Sequence, residues 1–167
     1  LIPCNGNPEI GLRHSRQTIY RGYELLSLKA KAIITNYDIP FAEHRTSVSR
    51  ITGAYMENFA LRNGANVALR ANRGGNLLSA GDYPMFAAKN NILLTPPGMG
   101  DSVEKELMSR ACSAAGLKVE QGDIPLSMLP ELDEIMIFTA SGIQNIQTCN
   151  GIYFLNLLGL RLEKHLS

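Results

Sequence analysis

The sequence predicts an α/β to mixed α+β domain, and three observations carry that expectation. Of 167 residues, 45% are hydrophobic and 19% charged, the composition of a chain with one substantial core. Short aliphatic segments recur along the chain, bounded by Gly, Pro and Asn, as strands are. Between them lie longer segments with apolar residues three and four positions apart, the spacing of a helix that buries one face. Strands interleaved with helices belong to these two fold classes, and residues 1–167 are read as a single domain without repeats or low-complexity linkers.

The elements follow in order. The first fifteen residues carry Pro3, Gly6, Pro8 and Gly11 without periodicity and read as a leading loop or a strap. From Tyr23 to Tyr37 the apolar residues first alternate and then run together, which suits one or two strands. Pro40 closes that segment. Val48, Ile51, Tyr55 and Phe59 then predict an amphipathic helix, stopped at Asn63-Gly64, where glycine takes a left-handed C-terminal position. Val67 to Ala71 reads as a strand and Asn72-Arg73-Gly74-Gly75 as a turn. Met85–Ala88 and Ile92–Leu94 flank Lys89-Asn90-Asn91, a tight hairpin because asparagine tolerates positive φ. Thr95-Pro96-Pro97-Gly98 forces an extended turn. Asp101 and Glu104 have capping-box spacing ahead of a helix running from about Ser102 to Gly116. Leu117–Glu120 and Glu134–Phe138 read as strands, separated by a short helix near Ser127 to Leu132, and Phe154 to Leu166 as a final helix.

Charge and composition exclude several function classes. Sixteen Lys and Arg stand against fifteen Asp and Glu, a net charge of +1 with no basic run, so neither nucleic acid nor an anionic membrane is expected as partner. No apolar run approaches a membrane span and the start lacks a signal-peptide pattern, which predicts a cytoplasmic protein. Cys4, Cys112 and Cys149 are odd in number and widely spaced, reading as reduced thiols with Cys112 in a core. His14, His44 and His165 have no second ligand at metal-site spacing, and no metal is expected. Ser141-Gly142 and Ser79-Ala80-Gly81 lack the glycine pattern of a nucleophile elbow. The helix start at Asp101 to Glu104 offers amides to an anion, but its two carboxylates favour a purely structural role.

Taken in order, Tyr55–Ala65, Val67–Leu69, the hairpin, Thr95-Pro96-Pro97, Gly116-Leu117-Lys118-Val119-Glu120 and Asp133-Glu134 resemble the class IV aminotransferases. These are the pyridoxal-phosphate fold-type IV group, with branched-chain and D-amino-acid aminotransferases and 4-amino-4-deoxychorismate lyase. The resemblance spans about Ala32 to Gly151 and implies their large domain, a curved mixed sheet or pseudo-barrel with flanking helices. It also implies pyridoxal phosphate as cofactor, a homodimer, and a smaller N-terminal domain that precedes Leu1 or is absent.

Carried over residue by residue, the resemblance implies an altered site. The Schiff-base lysine position falls on Arg45 or Thr46, and no lysine lies between Lys31 and Lys89. A guanidinium keeps its proton and cannot supply the neutral amine that imine formation requires. The carboxylate that pairs with the pyridine nitrogen is matched by Ser79. The phosphate-holding turn falls on Ser102-Val103-Glu104-Lys105, and a second phosphate contact on Thr139-Ala140. The implied reactions are amino transfer between a small amino acid and a 2-oxo acid, or elimination of pyruvate from aminodeoxychorismate. The alternative is a catalytically inactive homologue that binds a small anion or a partner chain, with Arg45, Arg50 and Lys105 as the anion site. A third expectation, an unrelated parallel doubly wound α/β domain, would match by chance.

Overall fold

A computed structural model describes residues 23–37, 47–97 and 102–166, with the side chains of 47–50 excepted. Strand β1 (Glu24–Thr35) is one strand of twelve residues. Helix α1 (Ser47–Arg62) follows and ends where Gly64 takes a φ of 65°. Next come β2 (Val67–Ala71), β3 (Asn76–Ser79) and the hairpin of β4 (Met85–Lys89) and β5 (Ile92–Thr95). The hairpin turns on Asn90 and Asn91, both at positive φ, as that dipeptide predicts. Helix α2 (Val103–Ala114) leads to β6 (Lys118–Gln121), β7 (Ile124–Pro125), a 3-10 turn at Leu126–Glu131, β8 (Glu134–Thr139), β9 (Gly142–Cys149), β10 (Ile152–Tyr153) and α3 (Leu157–Glu163).

The strands form one mixed sheet in the order β6-β5-β4-β8-β9-β1-β2-β3-β7, with β10 beside β9. β5 and β6, β9 and β1, and β1 and β2 run parallel; the other neighbours are antiparallel. This excludes a parallel doubly wound sheet. The two ends of the order, β6 and β7, are joined through Gly122 and Asp123 alone. Three chain steps reach about 10 Å at most, so the sheet must curl until its edges nearly meet. The result is the expected curved mixed sheet, a half-barrel with flanking helices.

Burial follows the curl. Leu69, Leu77, Met85, Ile124, Ile135, Ile137 and Ile146 come from distant strands yet share one cluster on the inner face. On the other face Phe86, Leu93, Met136, Phe138 and Ile143 meet Met108, Ala111 and Cys112 of α2 and Leu162 of α3. Small residues, Ala60, Ala65 and Ala68, let α1 approach β2 closely. Phe86 and Phe138 are fully buried, each contributing about 1.5–3 kcal/mol of transfer free energy.

One carboxylate docks the C-terminal helix. Glu134 is buried, and one oxygen accepts from the Leu157 and Leu158 amides at 2.6 and 2.8 Å while the other accepts from Asn145 Nδ2 at 3.1 Å. Negative charge at a helix N-terminus is favoured by both the free amides and the dipole. Asn145 in turn leaves no room over α3. A Cβ at Gly159 would lie 1.9 Å from Asn145 Oδ1.

The structure corrects several expectations. The final helix is shorter than Phe154 to Leu166: it covers Leu157–Glu163, because Phe154 turns inward behind β10 and its amide bonds to the Gln147 carbonyl. The cap of α2 is Ser102, whose Oγ accepts from Lys105 N, whereas Asp101 lies outside the described residues. The Ser127 to Leu132 segment is 3-10 rather than α-helical, since Pro130 removes a donor within it. Strands β3, β7, β9 and β10 carry no apolar run long enough to announce them.

Two measurements test this packing. Gly159→Ala, which in an open helix would stabilise by about 1 kcal/mol, is expected here to cost roughly 1–3 kcal/mol through overpacking against Asn145; a lowered urea midpoint checks it. Burial pushes Cys112 and Cys149 from 9.0 up to about 11. The unfolded chain therefore releases these thiol protons first, and stability is present below pH 9.0 and lost as pH rises towards 11. Urea midpoints should fall across that window, and fall less in the Cys112→Ala/Cys149→Ala protein.

Candidate functional site

A cavity of about 510 Å³ opens where strand ends meet two helices. Helix α1 presents Gly53, Met56 and Glu57, three positions on one helical face. The approach to β2 supplies Asn66 and Ala68, the turn after β3 supplies Ala80 to Tyr83, and the β8–β9 turn supplies Thr139 and Ala140. Glu104 from the first turn of α2 and Gln144 of β9 complete it.

Local hydrogen bonding fixes each wall. Asn66 Oδ1 accepts from Lys31 N at 2.8 Å, while the Asn66 amide donates to the Lys31 carbonyl. Ala80 and Tyr83 exchange amide-to-carbonyl bonds of 3.0 and 3.1 Å across a two-residue turn in which Gly81 takes a φ of 61°. That turn holds Asp82 and the half-exposed Tyr83 ring at the cavity. In the β8–β9 turn, Thr139 Oγ1 donates to the Gly142 carbonyl and accepts from the Ser141 amide, each at 3.2 Å.

The structure brings together some of the residues singled out from sequence and separates others. Glu104, Thr139 and Ala140 share the cavity. Ser102 and Lys105 instead border a second groove of about 450 Å³ with Thr95, Ser109 and Gln121, and Val103 is 67% exposed. Ser79 sits just behind the cavity wall with no exposure. Its Oγ donates to the Gly81 carbonyl at 2.9 Å and accepts from Arg70 Nε at 3.3 Å, Arg70 being itself buried. Arg45 and Thr46, and the Arg50 side chain, lie outside the described residues. Sequence reading missed Glu57, Asn66, Asp82, Tyr83 and Gln144; only the Gly81-Asp82 dipeptide, a turn former, signalled its position.

The chemistry of these walls can be set against pyridoxal phosphate. All six lysines fall within the described segments, and none lines the cavity. The charged side chains that do line it, among the described residues, are Glu57, Asp82 and Glu104. Ser79 has both hydrogen-bonding directions of its hydroxyl engaged and is sealed from the cavity, so it is not presented to a ring nitrogen. The described residues therefore do not fit a lysine imine with the cofactor: no amine lines the cavity, and the charged groups that do line it are carboxylates.

No family model and no curated protein matches the chain. Solved structures do match in shape. A branched-chain aminotransferase from the archaeon Thermoproteus uzoniensis, with norvaline, superposes with a TM-score of 0.75 at 17% identity, covering 86% of this chain and 52% of that one. The Escherichia coli branched-chain amino acid aminotransferase gives 0.73 at 15% identity, with 82% and 51% covered. A hypothetical aminotransferase from Mycobacterium tuberculosis, in an α-ketoglutarate and PMP bound form, gives 0.72 at 15% identity, with 82% and 55% covered. The chain thus has the class IV aminotransferase fold and spans about half the length of these structures.

The Arg70–Ser79 pair predicts a purely structural phenotype. Ser79→Ala removes the buried hydroxyl that accepts from Arg70 Nε and donates to the Gly81 carbonyl, and is expected to cost about 1–3 kcal/mol of stability. A chemical denaturation midpoint measures it.

Proposed function

We propose that this chain is a small-molecule-binding domain on the class IV aminotransferase scaffold that does not perform amino transfer or lyase chemistry through a lysine imine. The observation that carries the proposal is that none of the six lysines lines the cavity. Imine formation needs a neutral primary amine within bonding reach of the aldehyde, and neither carboxylate, amide nor hydroxyl replaces it. Arg45 or Thr46, the positions that the resemblance matches to the lysine, carry a guanidinium that stays protonated and a hydroxyl, and neither forms an imine.

What persists is a concave, partly apolar space with polar groups converging from six parts of the fold, the general form of a ligand site. Met56, Ala68 and Ile137 provide the apolar wall, and Asn66, Tyr83, Thr139 and Gln144 the polar one. Branched-chain amino acid transfer, named for the structural neighbours, is the reading this proposal replaces for these residues.

The test is incubation with pyridoxal phosphate, reduction with borohydride, and peptide mass mapping. The expected outcome is no stoichiometric adduct, with only sparse labelling spread over exposed lysines. A single lysine labelled one-to-one would overturn the proposal and restore an enzyme.

A further inference from the structure

Asparagine followed by glycine carries a chemistry of its own. The side-chain amide carbon lies within reach of the next backbone nitrogen, and glycine puts no Cβ in the path of attack. The chain holds three such pairs, at residues 5–6, 63–64 and 150–151. The first lies outside the described residues. The other two are both exposed, yet they differ in how they are bonded. Asn63 closes α1: its Nδ2 donates to the Phe59 carbonyl at 2.8 Å, and the Gly64 amide donates to the Leu61 carbonyl at 3.0 Å. Both reacting groups are tied down there. Asn150 and Gly151 form the two-residue turn between β9 and β10, at φ of 48° and 83°. Neither the Asn150 side chain nor the Gly151 amide has a hydrogen-bond partner among the described residues. Nothing stands within 4 Å of where a Cβ on Gly151 would lie, and β10 is only two residues long. Turning this backbone to bring Gly151 N onto Asn150 Cγ therefore displaces little.

We propose that Asn150 is a self-modification site, which converts to aspartate and isoaspartate and so loosens β10, while Asn63 in the same dipeptide is protected. Gly151 N attacks Asn150 Cγ, a new N–C bond forms, and the side-chain nitrogen leaves as ammonia with the Gly151 amide proton. Water then opens the cyclic imide. Opening at Cγ gives aspartate. Opening at the Asn150 backbone carbonyl leaves Gly151 joined through Cγ, an isoaspartate with one more atom in the chain path. The two-residue turn is matched to the register that pairs Cys149 with Ile152 and Thr148 with Tyr153, and the added atom breaks that match. Cys149, buried at this pairing, then opens to solvent.

The experiment ages the full chain in neutral buffer made with heavy-oxygen water, one sample folded and one in urea, and maps the peptides by mass. Uptake of solvent oxygen at the converted residue identifies the hydrolysed imide. In the folded chain, conversion at Asn150 is expected to exceed that at Asn63 by roughly tenfold or more, because Asn63 and Gly64 must first release two hydrogen bonds. In urea the two identical dipeptides should convert at similar rates. No conversion at Asn150 in the folded chain, or conversion no faster than at Asn63, overturns the proposal. So does a ratio that persists in urea, since flanking sequence rather than structure would then set it. Aged protein should also react with iodoacetamide at Cys149 faster than fresh protein, with no gain at Cys112 beneath α2. Asn150→Gln, whose longer side chain closes the ring poorly, should lose both the conversion and the gain at Cys149. Conversion without that gain, an equal gain at both cysteines, or a gain that persists in Asn150→Gln overturns the loosening of β10.

Discussion

The twelve residues of β1 must fill the slot between β9 and β2, and every other part of the sheet takes its place from that insertion. One side of β1 pairs in parallel with β9, from Glu24 opposite Gly142 to Ala32 opposite Cys149. The other side pairs with β2, from Ala32 opposite Val67 to Thr35 opposite Arg70. β1 thereby joins two groups of strands, β6-β5-β4-β8-β9 and β2-β3-β7. The β1–β9 register slips at three points, and a bulge bends its strand and increases its twist. Here lies a physical cause of the curl that brings β6 and β7 to one link. The approach is closest where the pairing begins. A Cβ at residue 142 would sit 1.8 Å from the Glu24 carbonyl oxygen, and the backbone there has a φ of 140°, so glycine is required on both counts.

The curl determines where the cavity falls. Helix α1 packs on the sheet through Met56 and Ala60 against Ala65 and Ala68, with Ile33 and Phe59 beside them. The space left between α1, the turn after β3, the β8–β9 turn and α2 is bounded mainly by turns and helix faces, not by the closely packed middle of the sheet. Such positions tolerate exchange of side-chain charge because they contribute little to the core. Arg70 and Ser79 mark the boundary between the two regimes: buried, mutually hydrogen-bonded, and one layer behind the wall.

What could be read from sequence follows the same division. Helices α1 and α2 and strands β4, β5 and β8 announce themselves because their apolar residues recur three and four apart or lie in one run, although Ile51, Tyr55 and Leu61 of α1 and Val103 of α2 are exposed and α1 buries Met56 and Ala60 instead. Strand β9 does not. Its sequence Gly-Ile-Gln-Asn-Ile-Gln-Thr-Cys puts isoleucines three apart, a helix spacing rather than strand alternation, because register slips interrupt the alternation and Asn145 turns inward to Glu134. Glu104, Thr139 and Ala140, which the resemblance singled out, line one cavity. Ser102 and Lys105 border a different groove, and Ser79 is buried and hydrogen-bonded to Arg70. Contacts between residues nine or more apart on separate strands leave no local signature.

The class IV aminotransferase fold and the proposed absence of imine chemistry are compatible because they draw on different residues. The half-barrel is held by Phe86, Leu93, Met136, Phe138 and Ile143 on one face, Leu69, Leu77, Ile135 and Ile146 on the other, and by the Glu134 carboxylate beneath α3. Ser79, Ser102, Val103, Glu104, Thr139 and Ala140, which the resemblance matches to cofactor contacts, belong to neither apolar cluster. A fold therefore constrains which elements surround the cavity but not what the cavity does. At these walls the deciding facts are chemical: carboxylates at Glu57, Asp82 and Glu104, a hydroxyl at Ser79 committed to Arg70, and six lysines that all lie elsewhere.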